Sequence, residues 1–224
     1  MATILNIETA TTNCSVSIGR QGEVAFLRET AGQGYSHAEN LHTFIKEGME
    51  ALQLTYAELD AIAVSMGPGS YTGLRIGVSA AKGLCFAADL PLIAIPTLDI
   101  LNAQLKPNEG LVIPMLDARR MEVYAAVYDI KGTRVVETRA VILDEHSFGE
   151  ELRKGKVHFL GNASEKTAEI IQDPNAIFHT DLQLPSAKEM AMLAEHRFQE
   201  NLFQDVAYFE PYYLKDFMVT PKKA

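Results

Sequence analysis

The sequence predicts an α/β protein built from two successive units with a cleft between them. Each half of the 224-residue chain opens with three strand-like stretches joined by short turns, and each then alternates helical with strand-like stretches. Between the halves, residues 106–110 (KPNEG) are typical of a turn or linker. We therefore expect a first unit at residues 1–102, a smaller second unit at 103–215 and a loose tail at 216–224.

Turn signals and hydrophobic periodicity divide the first unit into its elements. Alternating apolar residues predict three strands at residues 2–8, 14–18 and 23–28, which form an antiparallel meander. Ser36 and Glu39 form a capping box that begins a helix reaching residue 52. The apolar stripe of this helix consists of Leu41, Phe44, Ile45, Met49 and Leu52. The elements that follow are a strand at 59–65, a helix at 70–88 and a strand at 90–95.

The second unit repeats this order of elements without repeating the residues. The predicted strands lie at 111–116, 122–130, 134–143 and 157–160, and the predicted short helices at 148–153 and 164–172. Ser186 and Glu189 form a second capping box, which begins the last long helix. Met190, Leu193, Ala194 and Phe198 are expected to face inward from it.

A glycine-rich stretch at residues 67–77 (GPGSYTGLRIG) joins a predicted strand to the longest predicted helix. It is not a dinucleotide fingerprint, because its third glycine comes one residue late, and it lacks the lysine of a P-loop. Gly73, Gly77 and Ala80 share one helix face, and Leu84 continues it. Since a helical glycine costs about 1 kcal/mol relative to alanine, this face predicts the close approach of another backbone. That backbone could belong to the same unit or to a partner.

Composition limits the function classes. The chain is 47% hydrophobic and 22% charged, as in ordinary globular proteins, and its formal net charge is −9. That charge argues against autonomous nucleic-acid binding, which needs a basic surface. Cys14 and Cys85, the two cysteines, lie in apolar runs and are expected to be buried free thiols in a reducing cytoplasm. Lys82, Asp89 and Pro91 interrupt the longest apolar stretch, so no membrane span is predicted.

Candidate chemistry is sparse. Glu8 ends the first strand beside the turn at residues 9–13, where nucleotide-binding folds place a carboxylate near phosphate and metal. That turn has no glycine for close backbone approach to phosphate, which favours an ordinary polar turn. His37 and His42 are one residue too far apart to chelate one metal ion from a helix.

A second candidate is the segment at residues 117–120 (DARR), which joins two strands of the second unit. Asp117 could simply accept the hydrogen bonds of a turn. Alternatively, Arg119 or Arg120 could lie at the cleft, where a guanidinium would meet a carboxylate or a phosphate. The sequence leaves both interpretations open.

Several motifs together resemble one family. They are the glycine-rich stretch at 67–77, ILNIETA at 4–10, CSV at 14–16, SHAENL at 36–41, DARR at 117–120 and PYYL at 211–214. Their order and sequence resemble the YeaZ (TsaB) family of bacterial tRNA threonylcarbamoyladenosine biosynthesis proteins. The resemblance is strong over about residues 1–128 and thin beyond them. It implies two ribonuclease-H-like units of the sugar kinase–actin superfamily.

The resemblance also implies a function without catalysis. The catalytic paralogue TsaD follows the same glycine helix with a His-x-x-x-His metal motif, whose positions here hold Thr97 and Leu101. Because leucine cannot ligate a metal, we expect no catalytic residues, no metal and no cofactor. The implied role is a scaffold that forms a heterodimer with TsaD, is joined by the ATPase TsaE, and meets tRNA only through the complex. An ATP-dependent phosphotransferase or a glycoprotease-like enzyme of the superfamily is the alternative.

The two long helices of the first unit are the expected partner interface. The residues assigned to it are Leu41, Ile45, Met49, Gly73, Gly77, Ala80 and Leu84. The same surface is expected to pair with itself, giving a homodimer when the partner is absent.

Overall fold

The structure is a computed structural model that describes residues 2–32 and 37–215. Two five-stranded sheets form its framework, each with helices packed against it. Ser36, expected to cap the first long helix, and the predicted tail at 216–224 lie outside the described residues.

The first sheet has the strand order β3-β2-β1-β4-β5. Its strands are β1 (Thr3–Glu8), β2 (Asn13–Arg20), β3 (Glu23–Ala31), β4 (Ala61–Gly67) and β5 (Leu92–Pro96). The first three pair antiparallel, as the predicted meander requires, whereas β4 and β5 run parallel to β1. The carboxyl ends of β1 and β4 therefore meet at one edge of the sheet, and this edge carries Glu8 and Gly67.

Helices α1 (His37–Ala51) and α2 (Tyr71–Ala88) cover one face of this sheet, and a 3₁₀ turn at Tyr56–Glu58 leads into β4. Leu41, Ile45 and Met49 of α1 are 0%, 1% and 6% exposed, because they pack into a core with β1, β2 and α2. Their assignment to a partner interface is therefore wrong: side chains buried in their own unit have no surface left for a partner.

The second sheet has the order β10-β9-β6-β7-β8 and repeats the pairing pattern of the first. Its strands are β6 (Leu111–Asp117), β7 (Glu122–Tyr128), β8 (Arg134–Ile142), β9 (Val157–Leu160) and β10 (Ala176–His179). Helices α4 (Gly149–Leu152) and α5 (Ser164–Ile170) belong to this unit, and residues around them share a core with the sheet. This repeated three-plus-two arrangement confirms the predicted fold class of two ribonuclease-H-like units.

Two further helices connect the sheets. Helix α3 (Thr97–Asn102) lies between them: Ile100 packs with the first sheet, whereas Leu98 and Leu101 pack with the second. Helix α6 (Ala187–Gln199) comes from the second half of the chain but packs on the remaining face of the first sheet. The second half therefore completes the core of the first unit.

Candidate functional site

Glu8 lies at the carboxyl end of β1 and is completely buried. Its Oε1 accepts a hydrogen bond of 2.5 Å from the backbone N–H of Ala10, and within the described part of the chain its Oε2 has no partner. Burial raises the pKa of Glu8 to about 7, against the opposing effects of the Ala10 N–H and the Ser65 hydroxyl. A carboxyl group with this pKa can hold or release a proton near neutral pH.

The amino-terminal end of α2 closes the turn that follows Glu8. Ser70, the N-cap of α2, accepts a hydrogen bond from the Gly73 N–H, and its own N–H donates to Ala10 O at 2.7 Å. The Thr9 hydroxyl donates to Gly73 O at 2.8 Å. The polar groups of the turn are thus bonded to α2, which agrees with an ordinary polar turn rather than a phosphate loop.

Three glycines, one just before α2 and two within it, are required by this contact. A Cβ at Gly69 would collide with Ala10 O, one at Gly73 with Thr9 O, and one at Gly77 with the Thr9 hydroxyl. The predicted close approach of a backbone is therefore confirmed, but that backbone is the β1–β2 turn of the same unit. Gly73 and Gly77 cannot belong to a partner interface, because both are buried against this turn.

Two other residues of the expected interface, Ala80 and Leu84, are half-buried and pack against the core beneath α1 and α2.

His37, at the start of α1, is buried, and its Nε2 lies 2.8 Å from Thr11 O. Burial lowers the pKa of His37, although the contact with Thr11 opposes this. The histidine thus packs against the β1–β2 turn, as its position at the edge of the apolar stripe indicates.

Thr97 and Leu101, which the resemblance matches to the metal motif of TsaD, lie in α3 and are fully buried. Leu101 is part of the apolar cluster against the second sheet. The described residues contain no group of three or more His, Cys, Asp or Glu side chains arranged to hold a metal ion.

Asp117 organises the corresponding turn of the second unit. Its Oδ1 accepts hydrogen bonds from the Arg119 N–H at 2.8 Å and from the Lys166 ammonium of α5 at 2.6 Å. Arg119 and Arg120 have positive φ angles of 73° and 52°, and both are exposed. The first interpretation of this segment, a turn held by Asp117, therefore describes its backbone, and the two guanidinium groups remain accessible beside it.

A C-terminal strap, residues 204–215, runs along the first unit. Gln204 forms an isolated bridge with Leu92 of β5, and Lys82 of α2 donates hydrogen bonds to Ala207 O and Phe209 O. The strap then reaches the end of β4, where the Tyr212 N–H donates to Met66 O at 2.7 Å.

The last residues of the strap contact first the start of α2 and then the second unit. The Tyr213 ring lies 5.0 Å from the Tyr71 ring, and its hydroxyl accepts a hydrogen bond from Arg75 at 3.3 Å. Two residues later, Lys215 forms an ion pair with Glu122 of β7. The strap therefore connects the amino-terminal end of α2 to the turn that carries Arg119 and Arg120.

Several residues of this region were missed by the sequence analysis. Lys166 and Glu122 lie in none of the motifs, Tyr213 lies in PYYL at 211–214 but without a predicted contact, and the partners of all three are far away in the chain. Asp99 is the clearest example, because it accepts hydrogen bonds from Tyr128, Arg134 and Arg197, the last 98 residues away. The only sequence feature that could have indicated this role is the position of Asp99, a charged residue inside the short apolar stretch at 97–102.

Comparisons with known proteins place the chain in a family. The family model described as "TsaD: tRNA N6-adenosine threonylcarbamoyltransferase" matches residues 33–222. The TsaB protein of Escherichia coli is 29% identical over 221 residues, covering 95% of this chain and 94% of the relative. The TsaB protein of Bacillus subtilis is 30% identical over 179 residues, covering 76% of each chain.

Solved structures agree with the sequence comparisons. The structure of YeaZ from Pseudomonas aeruginosa superposes with a TM-score of 0.82 at 25% identity, covering 96% of this chain and all of the other. None of the helices in the described residues is long and apolar enough to cross a membrane. The chain matches the TsaD family model over most of its length, and within that family it belongs to the TsaB (YeaZ) proteins.

Proposed function

We propose that this chain acts in tRNA threonylcarbamoyladenosine biosynthesis as a non-catalytic partner of TsaD. Membership of the TsaB family supports the role in this modification. The match to the TsaD family model supports descent of both proteins from one fold.

The proposal rests mainly on two places where an enzyme of this fold could bind reactants. They are the turn after Glu8, at the end of β1, and helix α3, which follows β5. Helix α2 packs against the turn after Glu8, and its glycines lie against the backbone of that turn. Thr97 and Leu101 are buried between the sheets, and leucine offers no ligand atom. These residues stabilise the fold at positions where an enzyme would keep open, polar groups.

The outer face of α2 is the proposed contact surface for TsaD. Thr72, Ser79 and Gly83 are exposed there, and a Cβ at Gly83 would meet no atom within 4 Å. Phe86 follows on the same helix with 86% of its surface exposed. A fully exposed aromatic ring beside small residues is typical of a protein contact, because the ring can anchor while the small residues allow close helix packing.

The remaining parts of the proposal rest on the resemblance to the family, on this surface and on the net charge. TsaE joins the heterodimer, and the same α2 surface pairs with itself when TsaD is absent. With a net charge of −9, the chain meets tRNA only through its partners. The complex works in the cytoplasm.

Size-exclusion chromatography with purified TsaD tests the contact surface. Ser79→Arg and Phe86→Ser should each abolish the heterodimer peak, because one adds a long charged side chain to the surface and the other removes its anchor. Ile142→Ser is the matched control, since Ile142 is 73% exposed on the second unit. Wild-type association by both α2 variants would exclude this surface.

The enzyme alternative has one observation in its favour. Glu8 is a buried carboxyl group with a pKa of about 7, and such groups occur in catalytic sites. An ATP-dependent phosphotransferase or a glycoprotease-like enzyme would need this group for activity. ATP turnover by the isolated chain, or cleavage of a glycoprotein substrate, that disappears in Glu8→Gln would establish the corresponding enzyme. Equal background rates of both reactions in the two proteins would exclude the alternative.

A further inference from the structure

A second cavity lies away from the strand-end turns. It has a volume of about 770 Å³ and lies between α3, the β7–β8 hairpin and α6; we call it the back pocket. The hairpin residue Tyr128 pairs with Val112 at the start of β6, whereas the turn with Arg119 follows the end of β6 at Asp117. A seven-residue strand spans about 20 Å, so the two sites are well separated.

The charged side chains that line the back pocket are four cations and four anions: Lys106, Lys131, Arg134 and Arg197, and Asp99, Asp129, Glu137 and Glu189. Asp99 accepts hydrogen bonds from the Tyr128 hydroxyl at 2.6 Å, from Arg134, and from Arg197 Nη2 at 3.3 Å. Two guanidinium groups therefore share one carboxylate. Arg134 also bonds to Glu137, whereas in the described residues the contact with Asp99 is the only side-chain hydrogen bond of Arg197. The remaining N–H groups of Arg197 can bind an anionic group.

The same pocket contains hydrogen-bond acceptors that lack donors. Asn102 is 9% exposed, and within the described part of the chain its Oδ1 has no partner. Glu189 Oε2 is likewise buried and unpaired among these residues. Buried acceptors are nearly always satisfied in folded proteins, so these two atoms can accept hydrogen bonds from a donor that enters the pocket.

The lining also has an apolar part, which consists of Leu105, Pro107, Ile130, Met192 and Leu193. Ile130 and Met192 are 47% and 58% exposed, so they form an accessible apolar rim. The pocket therefore combines charged groups of both signs with an apolar rim, and its volume lies in the usual range of small-molecule sites.

We propose that the back pocket binds a small amphoteric ligand of the amino-acid class. Its carboxylate would accept hydrogen bonds from Arg197, its ammonium group would donate to Asn102 Oδ1 and Glu189 Oε2, and its side chain would contact the apolar rim. Because the pocket walls come from α3, the β7–β8 hairpin and α6, a bound ligand would hold together elements of both sheets.

Calorimetric titration and thermal melting of the full chain test this site with the L-amino acids as probes, each at about 10 mM. Acetate and methylammonium, which carry the two charges on separate molecules, are the ligand controls. We expect at least one amino acid to bind one-to-one and to raise the melting temperature, whereas neither control ion does so. Failure of every amino acid, or equal binding of acetate or methylammonium, overturns the proposal.

Variants locate the binding. Asn102→Leu removes the unpaired acceptor and Arg197→Gln removes the guanidinium group that would bind the ligand carboxylate, so each should weaken binding at least about tenfold. Arg139→Gln is the matched control, because Arg139 is exposed on β8 and does not line the pocket. If Asn102→Leu does not fold, Arg197→Gln alone decides. Unchanged affinity in a folded variant overturns the proposed site whatever the outcome with TsaD.

Discussion

At the scale of single residues, Glu8 shows how burial changes the chemistry of a side chain. The carboxyl group lies at the end of β1 beneath the amino-terminal end of α2, where water does not reach it. Burial disfavours the charged form and raises the pKa to about 7. In the unfolded chain the same group ionises near its ordinary pKa of 4.5. The folded protein therefore holds a proton between these pH values that the unfolded chain releases.

This difference predicts the pH dependence of stability. As pH rises from 4.5 to about 7, the unfolded chain loses the proton first, so Glu8 progressively lowers the free energy of unfolding. The full effect is about 3 kcal/mol at pH 8, since one pKa unit corresponds to about 1.4 kcal/mol. Glu8→Gln should therefore stabilise the protein at pH 8 and have little effect near pH 4.5.

Urea denaturation of both proteins at the two pH values measures this difference. Glu137→Gln is the control, because the Glu137 side chain is 85% exposed. An effect of Glu8→Gln that is the same at both pH values would contradict the assigned pKa.

At the scale of elements, α2 depends on two kinds of glycine. Gly73 and Gly77 lie against the Thr9 backbone and hydroxyl, where a side chain does not fit. Gly83 is exposed on the opposite face, where a methyl group would meet nothing. Alanine at these positions should therefore act in opposite directions.

Gly77→Ala should destabilise the protein by about 1–3 kcal/mol, because the new methyl group overpacks the turn. Gly83→Ala should stabilise it by up to about 1 kcal/mol through helix propensity alone. Thermal or urea unfolding distinguishes the two variants. Thr9→Ala combined with Gly77→Ala should recover part of the loss, and additive losses in the double variant would contradict the proposed clash.

Two tyrosines of the strap, one in contact with α2 and one exposed, test whether the strap stabilises the fold. Tyr213 contacts the Tyr71 ring and accepts a hydrogen bond from Arg75, whereas Tyr208 is 84% exposed. Tyr213→Ala should lower the free energy of unfolding by about 1 kcal/mol, and Tyr208→Ala should leave it unchanged. Equal effects of the two substitutions in urea denaturation would show that the strap does not stabilise the fold.

Sequence periodicity predicted most elements but missed two. Strand β10 has four residues and α3 has six, which is too short for a reliable pattern. Helix α3 also lacks a polar face, because Ile100 is buried by one sheet and Leu98 by the other. The glycine pattern correctly indicated a close backbone contact, yet it could not reveal whether the neighbour was the β1–β2 turn or another protein.

At the scale of the whole molecule, three connections hold the two sheets together. Helix α3 packs between them, α6 returns from the second half to cover the first sheet, and the strap ends in the ion pair of Lys215 with Glu122. The chain is thus a two-unit fold in which α2 packs against the strand-end turn of its own unit. This arrangement is the basis for proposing a partner of TsaD without catalysis of its own.

The most direct test is the amount of modified tRNA formed from unmodified tRNA, ATP and threonylcarbamoyl-AMP. The chain should be assayed alone, with TsaD and TsaE, and as the Ser79→Arg variant with the same partners. We predict no product above a protein-free blank from the chain alone, and a higher yield when the wild-type chain, but not the variant, is added to TsaD and TsaE. Modified tRNA formed by the chain alone would contradict a non-catalytic role.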